Sequence, residues 1–168
     1  MSQNPILILT TGGTIDKAYF DALSAYQIVD SVIPKILDTA LVRHPYRVEQ
    51  MFRKDSLDLT DGDRADIRDH VAAADERHIV ITHGTDTMTT TAQALGGIQD
   101  KTIVLVGALA PARFQESDAM FNIGMAFAAA QTAAPGLYIT MNGSVFRADA
   151  VVKDRAQGAF VSRPASSA

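Results

Sequence analysis

Three threonines surround two glycines in TTGGTID, Thr10 to Asp16, directly behind the apolar run Ile6-Leu7-Ile8-Leu9. Glycines at such a junction let a chain turn sharply out of a sheet, and a hydroxyl just past the turn faces a ligand crevice. The chemistry open to Thr14 is nucleophilic attack, given a base to take its proton. A second junction of the same kind is ITHGTDTM, where Gly84, Thr85 and Asp86 follow the run Ile79 to Thr82. Thr85 would bring another hydroxyl to the crevice, and Asp86 a carboxylate able to orient an amine or a lysine. The stretch KDSLDLTD adds Asp55 and Ser56. The glycines do not spell a phosphate cradle. G-x-x-x-x-G-K-[ST] is missing, which excludes a P-loop, and so is the dinucleotide pattern G-x-G-x-x-G.

Plainer readings stand beside each of these. Gly12-Gly13 fits a tight strand-to-loop turn without chemistry. Thr85 and Asp86 fit helix capping, and KDSLDLTD fits a capped loop before a helix. Thr10 and Thr11 are expected to satisfy the backbone of the turn. His83 reads as a hydrogen-bonded residue at a strand end rather than as a base.

Composition narrows the classes. A chain of 168 residues with 47% hydrophobic and 20% charged residues fits one globular domain with a substantial core. The net charge of -4 argues against nucleic acid as a partner. No apolar run reaches the length of a membrane-spanning helix, and MSQNP does not resemble a secretory leader. The expectation is therefore a cytoplasmic protein without membrane attachment. With no cysteine, thiolate nucleophiles, disulfides and thiolate metal sites all drop out. His44, His70, His78 and His83 show no ligand spacing, so neither metal nor cofactor is expected.

The elements that must position these residues follow from hydrophobic runs. PILILTT, RHIVIT, KTIVLVG and GLYITMN read as buried parallel strands, and the more polar YRVEQMFRKD as a fifth strand nearer an edge. Between them lie the helical segments VIPKILDTALV, TDGDRADIRDHVAAA, TDTMTTTAQALGG and SDAMFNIGMAFAAAQTA. Thr60 or Asp61 would cap the second, Thr85-Asp86 would start the third, and Ser117 or Asp118 would cap the fourth. Alternation of this kind predicts a doubly wound, mostly parallel, flavodoxin-like α/β sheet of about five strands with right-handed crossovers and helices on both faces. A C-terminal hairpin closes the chain. Residues 1–161 read as one domain and 162–168 as a flexible tail. Ligands on such sheets bind at the carboxyl ends of the strands, where TTGGTID, RKDSLDLTD, THGTDTM, GALAPARF and MNGSVF all fall.

In this order TTGGTID, THGTDTM and VLVGALAP resemble the motifs of the bacterial-type L-asparaginase/glutaminase family, amidohydrolases with a threonine nucleophile. KDSLDLT is similar to that family's D-S-S-D-M-T segment and DAMFN to its D-G-P-F-N segment, so the likeness runs through the whole chain. The resemblance implies hydrolysis of L-asparagine, with L-glutamine as a possible second substrate, through a threonine acyl-enzyme. Thr14 matches the nucleophile, and Thr85, Asp86 and Lys153 match the assisting machinery. A loop tyrosine would contact Thr14; Tyr19 is preferred, with Tyr26 the other candidate. Gly13 and Gly84 would lend backbone donors at the Gly-Thr turns. Ser56, with Asp55 before it, would hold the substrate's α-carboxylate, and Asp86 its α-ammonium group. Only the resemblance promotes Lys153, since a lone lysine after AVV otherwise reads as a surface residue.

Two departures matter. Leu57 replaces a residue that is usually polar, and the chain stops where the family's linker to a second domain would begin. The resemblance implies a short form made of the first domain alone and assembled as a homo-oligomer, a dimer first. MAFAAAQTA could offer the self-associating face, although packing on the sheet explains it as well. A non-catalytic module that binds asparagine or aspartate, left after loss of the second domain, is the alternative. One half of a larger amidotransferase is a third. The loop from Asp16 to Gln27 is a candidate lid.

Overall fold

The structure is a computed structural model that describes residues 4–163. In chain order its elements are β1 (Ile6–Gly12), β2 (Lys17–Phe20), β3 (Ala25–Ile28), α1 (Ile33–Thr39), β4 (Tyr46–Lys54), α2 (Asp61–Ala73) and β5 (His78–Thr82). They continue as α3 (Met88–Ala94), β6 (Thr102–Val106), α4 (Ala119–Thr132), β7 (Gly136–Met141), β8 (Ser144–Arg147), β9 (Val151–Asp154) and β10 (Ala159–Ser162). One sheet has six strands in the order β4-β1-β5-β6-β7-β8, and β2-β3 and β9-β10 are separate hairpins.

All five expected strands are in this sheet, with β4 at its edge, and they run parallel in register from Ile6↔Tyr46 and Ile6↔His78 to Thr102↔Gly136. Successive side chains alternate between two cores. Ile6, Ile8, Val80, Val104 and Val106 face α1 and α4, whereas Leu7, Leu9, Ile79, Ile81, Ile103 and Leu105 face α2, α3 and the C-terminal hairpin. Each fully buried aliphatic side chain of this kind contributes roughly 1.5–3 kcal/mol.

A sixth strand was not expected. MNGSVF, placed among the strand-end loops, instead turns back on itself: Asn142 and Gly143 take φ of 52° and 72°, and β8 pairs antiparallel with β7 from Met141↔Ser144. Two left-handed residues in succession make the hairpin turn whose twist suits paired strands, and Asn-Gly is its strongest signal.

The crossovers also differ from expectation. The connections β4–α2–β5, β5–α3–β6 and β6–α4–β7 all step in the same direction across the sheet, yet α4 shares a face with α1 rather than with α2 and α3. The β6–α4–β7 unit therefore winds opposite to the others and breaks the right-handed rule. The face it would otherwise use is filled by α2, α3, Val151 and Phe160. The alanine face of α4 packs on the sheet, with Ala126, Ala129 and Ala130 buried. It is not available for self-association.

Caps are partly as expected. Thr60 closes a capping box with Asp63, and Ser117 Oγ accepts from Ala119 N at 3.1 Å. Asp118 does not cap α4. Its carboxylate accepts from Leu109 N and Ala110 N at 3.0 Å and so shapes the long loop after β6. Of the tail expected over 162–168, Ser162 is paired in β10 and Arg163 N donates to Ala150 O at 2.8 Å. Residues 164–168 lie outside the described part.

Candidate active site at the carboxyl edge of the sheet

The turns after β1, β4 and β5 press against one another. Gly13 has φ of 88°, and a Cβ there would lie 2.5 Å from Gly84 N. A Cβ on Gly84 would lie 2.7 Å from Ser56 Cβ and Oγ. Contact this close, with backbone at Gly13 and with the Ser56 Cβ at Gly84, admits no side chain, so both positions require glycine. Gly13 N donates to Lys54 O at 3.0 Å, and Thr87 Oγ1 to Ser56 O at 2.7 Å. Thr14 and Thr85 each follow one of these two touching glycines. Thr11 Oγ1 donates to Thr82 O at 2.8 Å, linking β1 to β5 rather than satisfying its own turn, and Thr10 Oγ1 has no partner among the described residues.

Thr85 and Asp86 precede α3, which starts only at Met88, and neither caps it. Both instead face Lys153. Its Nζ donates to Thr85 Oγ1 at 2.8 Å and to Asp86 Oδ1 at 2.7 Å, with Arg155 a further 3.8 Å from the same carboxylate oxygen. The β9–β10 hairpin sets the lysine. Lys153 pairs with Phe160, whose ring is buried in the core and whose N–H donates to Asn142 Oδ1 at 2.8 Å. A cation, a hydroxyl and a carboxylate thus meet in one hydrogen-bonded group, sited by a hairpin that carries its own apolar anchor.

Thr14 opens a 3₁₀ turn over Thr14–Asp16 that is fixed from several sides. The Asp16 carboxylate accepts from Val32 N at 2.9 Å and Ser31 Oγ at 3.1 Å, and Ile15 O accepts from Ala112 N at 3.1 Å. Beside Thr14 lies a cavity of about 270 Å³ lined also by Lys17, Tyr26, Pro111 and Phe114. The segment expected as a lid loop is the β2–β3 hairpin. Tyr19 and Tyr26 face each other across it with ring centroids 5.2 Å apart, and Tyr26 lies 5.9 Å from Phe114. Tyr26 lines the cavity beside Thr14, and the Tyr19 ring lies against Tyr26, tilted by 58°.

Ser56 is 1% exposed, and its Oγ has no hydrogen-bond partner among the described residues. A buried hydroxyl without a partner costs free energy. Asp55 accepts from Leu57 N at 3.2 Å and from Lys17 Nζ at 3.0 Å. Burial opposes its ionisation, but the Leu57 N–H and the Lys17 ammonium outweigh that and hold the carboxyl below its usual range. Leu57 is 66% exposed, so the replaced polar side chain leaves an apolar rim and no buried defect.

His83 is fully buried behind these turns. Gly84 O lies 2.7 Å from Nδ1 and can only accept, so Nδ1 carries the hydrogen and Nε2 accepts from Thr91 Oγ1 at 2.7 Å. The imidazole is a clamp on the peptide that joins Gly84 to Thr85, as the strand-end reading expected. Burial first, and Arg64 nearby, lower its pKa to about 4 against the Gly84 hydrogen bond. A folded pKa below the unfolded value of 6.5 means stability that is fully present above pH 6.5 and lost as pH falls towards 4. The expected loss is about 3 kcal/mol, read as a falling urea midpoint in that window and flattened in His83→Gln. Asp16, raised mainly by burial, acts in the opposite sense above its unfolded value of 3.8, because its folded form takes up the proton more readily as pH falls.

Among the described residues no group of three His, Cys, Asp or Glu side chains could hold a metal ion, and no helix is long and apolar enough to cross a membrane.

The family model described as Asparaginase, N-terminal, matches residues 5–166, and the chain belongs to that family. It is 34% identical over 159 residues to a glutaminase-asparaginase of Pseudomonas aeruginosa, covering 83% of this chain and 42% of the relative. It is 32% identical over 162 residues to a glutamyl-tRNA(Gln) amidotransferase subunit from Methanococcus vannielii, covering 86% of this chain and 37% of that one. The thermostable L-asparaginase of Thermococcus kodakarensis superimposes with a TM-score of 0.81 at 28% identity over 94% of this chain and 51% of its own. A probable cytoplasmic L-asparaginase from Campylobacter jejuni superimposes with a TM-score of 0.75 at 30% identity, over 95% of this chain and 52% of its own. The chain spans about half or less of the length of these relatives.

Proposed function

We propose that the chain is an amidohydrolase that converts L-asparagine and water to L-aspartate and ammonia. Thr14 Oγ attacks the side-chain amide carbon, giving an acyl-threonine ester as ammonia leaves, and water then cleaves the ester. Backbone N–H groups at the Gly13-Thr14 and Gly84-Thr85 turns receive the negative charge on the carbonyl oxygen. Lys153, held by Asp86, exchanges protons through the Thr85 hydroxyl. Tyr26 closes over Thr14. Hydroxyl, amine and backbone donors supply this chemistry without a metal or cofactor.

The observation that carries the reading is the Lys153–Thr85–Asp86 group, with contacts of 2.8 and 2.7 Å, on the turn that touches the Thr14 turn. Ammonia release by the purified chain tests it, with L-asparagine and L-glutamine assayed side by side; release from neither sinks it. Saturable asparagine binding without turnover would indicate a binding module instead. A second reading is favoured by the relatives named as amidotransferase subunits: action on an amide attached to a macromolecule, with a protein partner. Full activity on free asparagine by this chain alone would argue against it. A cytoplasmic homodimer belongs to the same proposal. Met120 and Phe121, 58% and 63% exposed at the start of α4, give it an apolar face, and sedimentation velocity measures the state.

A further inference from the structure

We infer that Asn142, in the turn between β7 and β8, is the positioning residue for Lys153, so that a side chain outside the Thr14 cavity governs the rate. The effect on rate rests on the amidohydrolase reading, whereas the link between the two residues stands on geometry. The β9–β10 hairpin is a sheet of its own, without a ladder to the six central strands. Asp154 closes its turn locally, with Oδ1 accepting from Ala156 N and Gln157 N at 2.9 and 3.1 Å. Val151 and Phe160 hold it to the core by apolar burial, which is non-directional and lets packed surfaces slide.

One hydrogen bond fixes it in place. Apart from the Lys153 contacts themselves, Phe160 N to Asn142 Oδ1 at 2.8 Å is the hydrogen bond that ties the hairpin to the central sheet among the described residues. In an antiparallel pair, a residue whose N–H turns outward exchanges no hydrogen bond with the residue opposite, and the two side chains stand close. Lys153 and Phe160 form such a pair, so Asn142 grips the hairpin directly across from the lysine. The turn needs a residue that adopts the φ of 52°, and glycine or aspartate would serve it as asparagine does. What asparagine adds over glycine is an acceptor aimed at Phe160. Lys153 meets Thr85 and Asp86 at 2.8 and 2.7 Å, so a small slide of β10 would part them. Misplacement by about an ångström costs on the order of a hundredfold in rate, even when its origin lies far from the chemistry.

The test is Asn142→Gly in the full chain, which keeps the turn and removes the acceptor, beside Asn142→Asp, which keeps both. Lys153 is labelled competitively with acetic anhydride and scored by mass spectrometry against the exposed Lys35. Its side chain is 18% accessible and engaged twice, so it should label slowly in the parent and in Asn142→Asp, and at least about fivefold faster in Asn142→Gly. Lys101, which donates to Glu76 O at 2.8 Å, should not change; equal speeding there would mean a global effect and overturn the inference. Steady-state ammonia release from L-asparagine should give kcat about thirtyfold lower in Asn142→Gly, KM within about twofold, and near-parental kcat in Asn142→Asp. In a Lys153→Met background the same glycine substitution should cost less than about twofold, because the residue through which it acts is gone. Unchanged labelling of Lys153, a rate loss of full size without Lys153, or no restoration by aspartate would each overturn the inference. Faster labelling with no turnover by the parent would retain Asn142 as the anchor of Lys153 and remove the hydrolytic reading.

Discussion

Thr14→Ala is expected to lower asparagine hydrolysis by about four orders of magnitude or more while leaving the melting temperature nearly unchanged. The size follows from the role. Removing the atom that forms the covalent bond eliminates the acyl-enzyme route and leaves only what binding and oxyanion donors contribute. The small structural effect follows from position. Thr14 lines an open cavity instead of the core, and the turn that carries it is fixed by the Asp16 carboxylate and the Ile15 carbonyl, neither of which the substitution touches. Steady-state ammonia release and a thermal melt on the same preparation check both halves. A fall of less than about tenfold would mean that Thr14 does not form the intermediate.

Lys153→Met should lower kcat by about three orders of magnitude, within the range for loss of a positioned acid-base group. Lys153→Arg is the sharper variant. Guanidinium keeps the charge and can reach Asp86, but it does not give up its proton. If the lysine exchanges protons through Thr85, arginine should lose nearly as much as methionine; if it only neutralises Asp86, arginine should recover most of the rate. Stability separates these outcomes from misfolding. The Lys153–Asp86 pair is partly exposed, with side chains 18% and 34% accessible, so its loss should cost no more than about 1 kcal/mol. Arg155 remains 3.8 Å from Asp86 to share its charge.

The sheet was legible because burial on both faces writes itself as continuous runs of Ile, Val and Leu, which mark β1, β5, β6 and β7 directly and leave β4 as the polar edge. The β2–β3 hairpin was not. KAYF and AYQI are short and mostly exposed, so they lack the burial pattern that marks a strand. β8 was hidden for a similar reason, although Asn142-Gly143 did signal its turn. The reversed β6–α4–β7 crossover has no local signature. It depends on which face other elements have already filled, and the sequence of one helix does not carry that information.

The site divides along the same line. Gly13, Thr14, Gly84, Thr85, Asp86, Asp55 and Ser56 sit in motifs at strand ends, where turn chemistry makes them conspicuous. Lys153 was visible only through family resemblance, since its partners lie 67 and 68 residues away. Lys17 carries no such mark, although it directly follows TTGGTID. A lysine on a short exposed segment looks like surface until the fold brings Asp55 to it. Tyr19 and Tyr26 could not be ranked without knowing which faces Phe114.

The central claim is that the Thr14 hydroxyl becomes transiently esterified by the substrate. Intact-mass spectrometry of the chain incubated with an electrophilic asparagine analogue, followed by peptide mapping, measures this directly. The expected result is one adduct per chain, located on Thr14 and missing from Thr14→Ala. An adduct on any other residue, or none under conditions where asparagine is being hydrolysed, would contradict it.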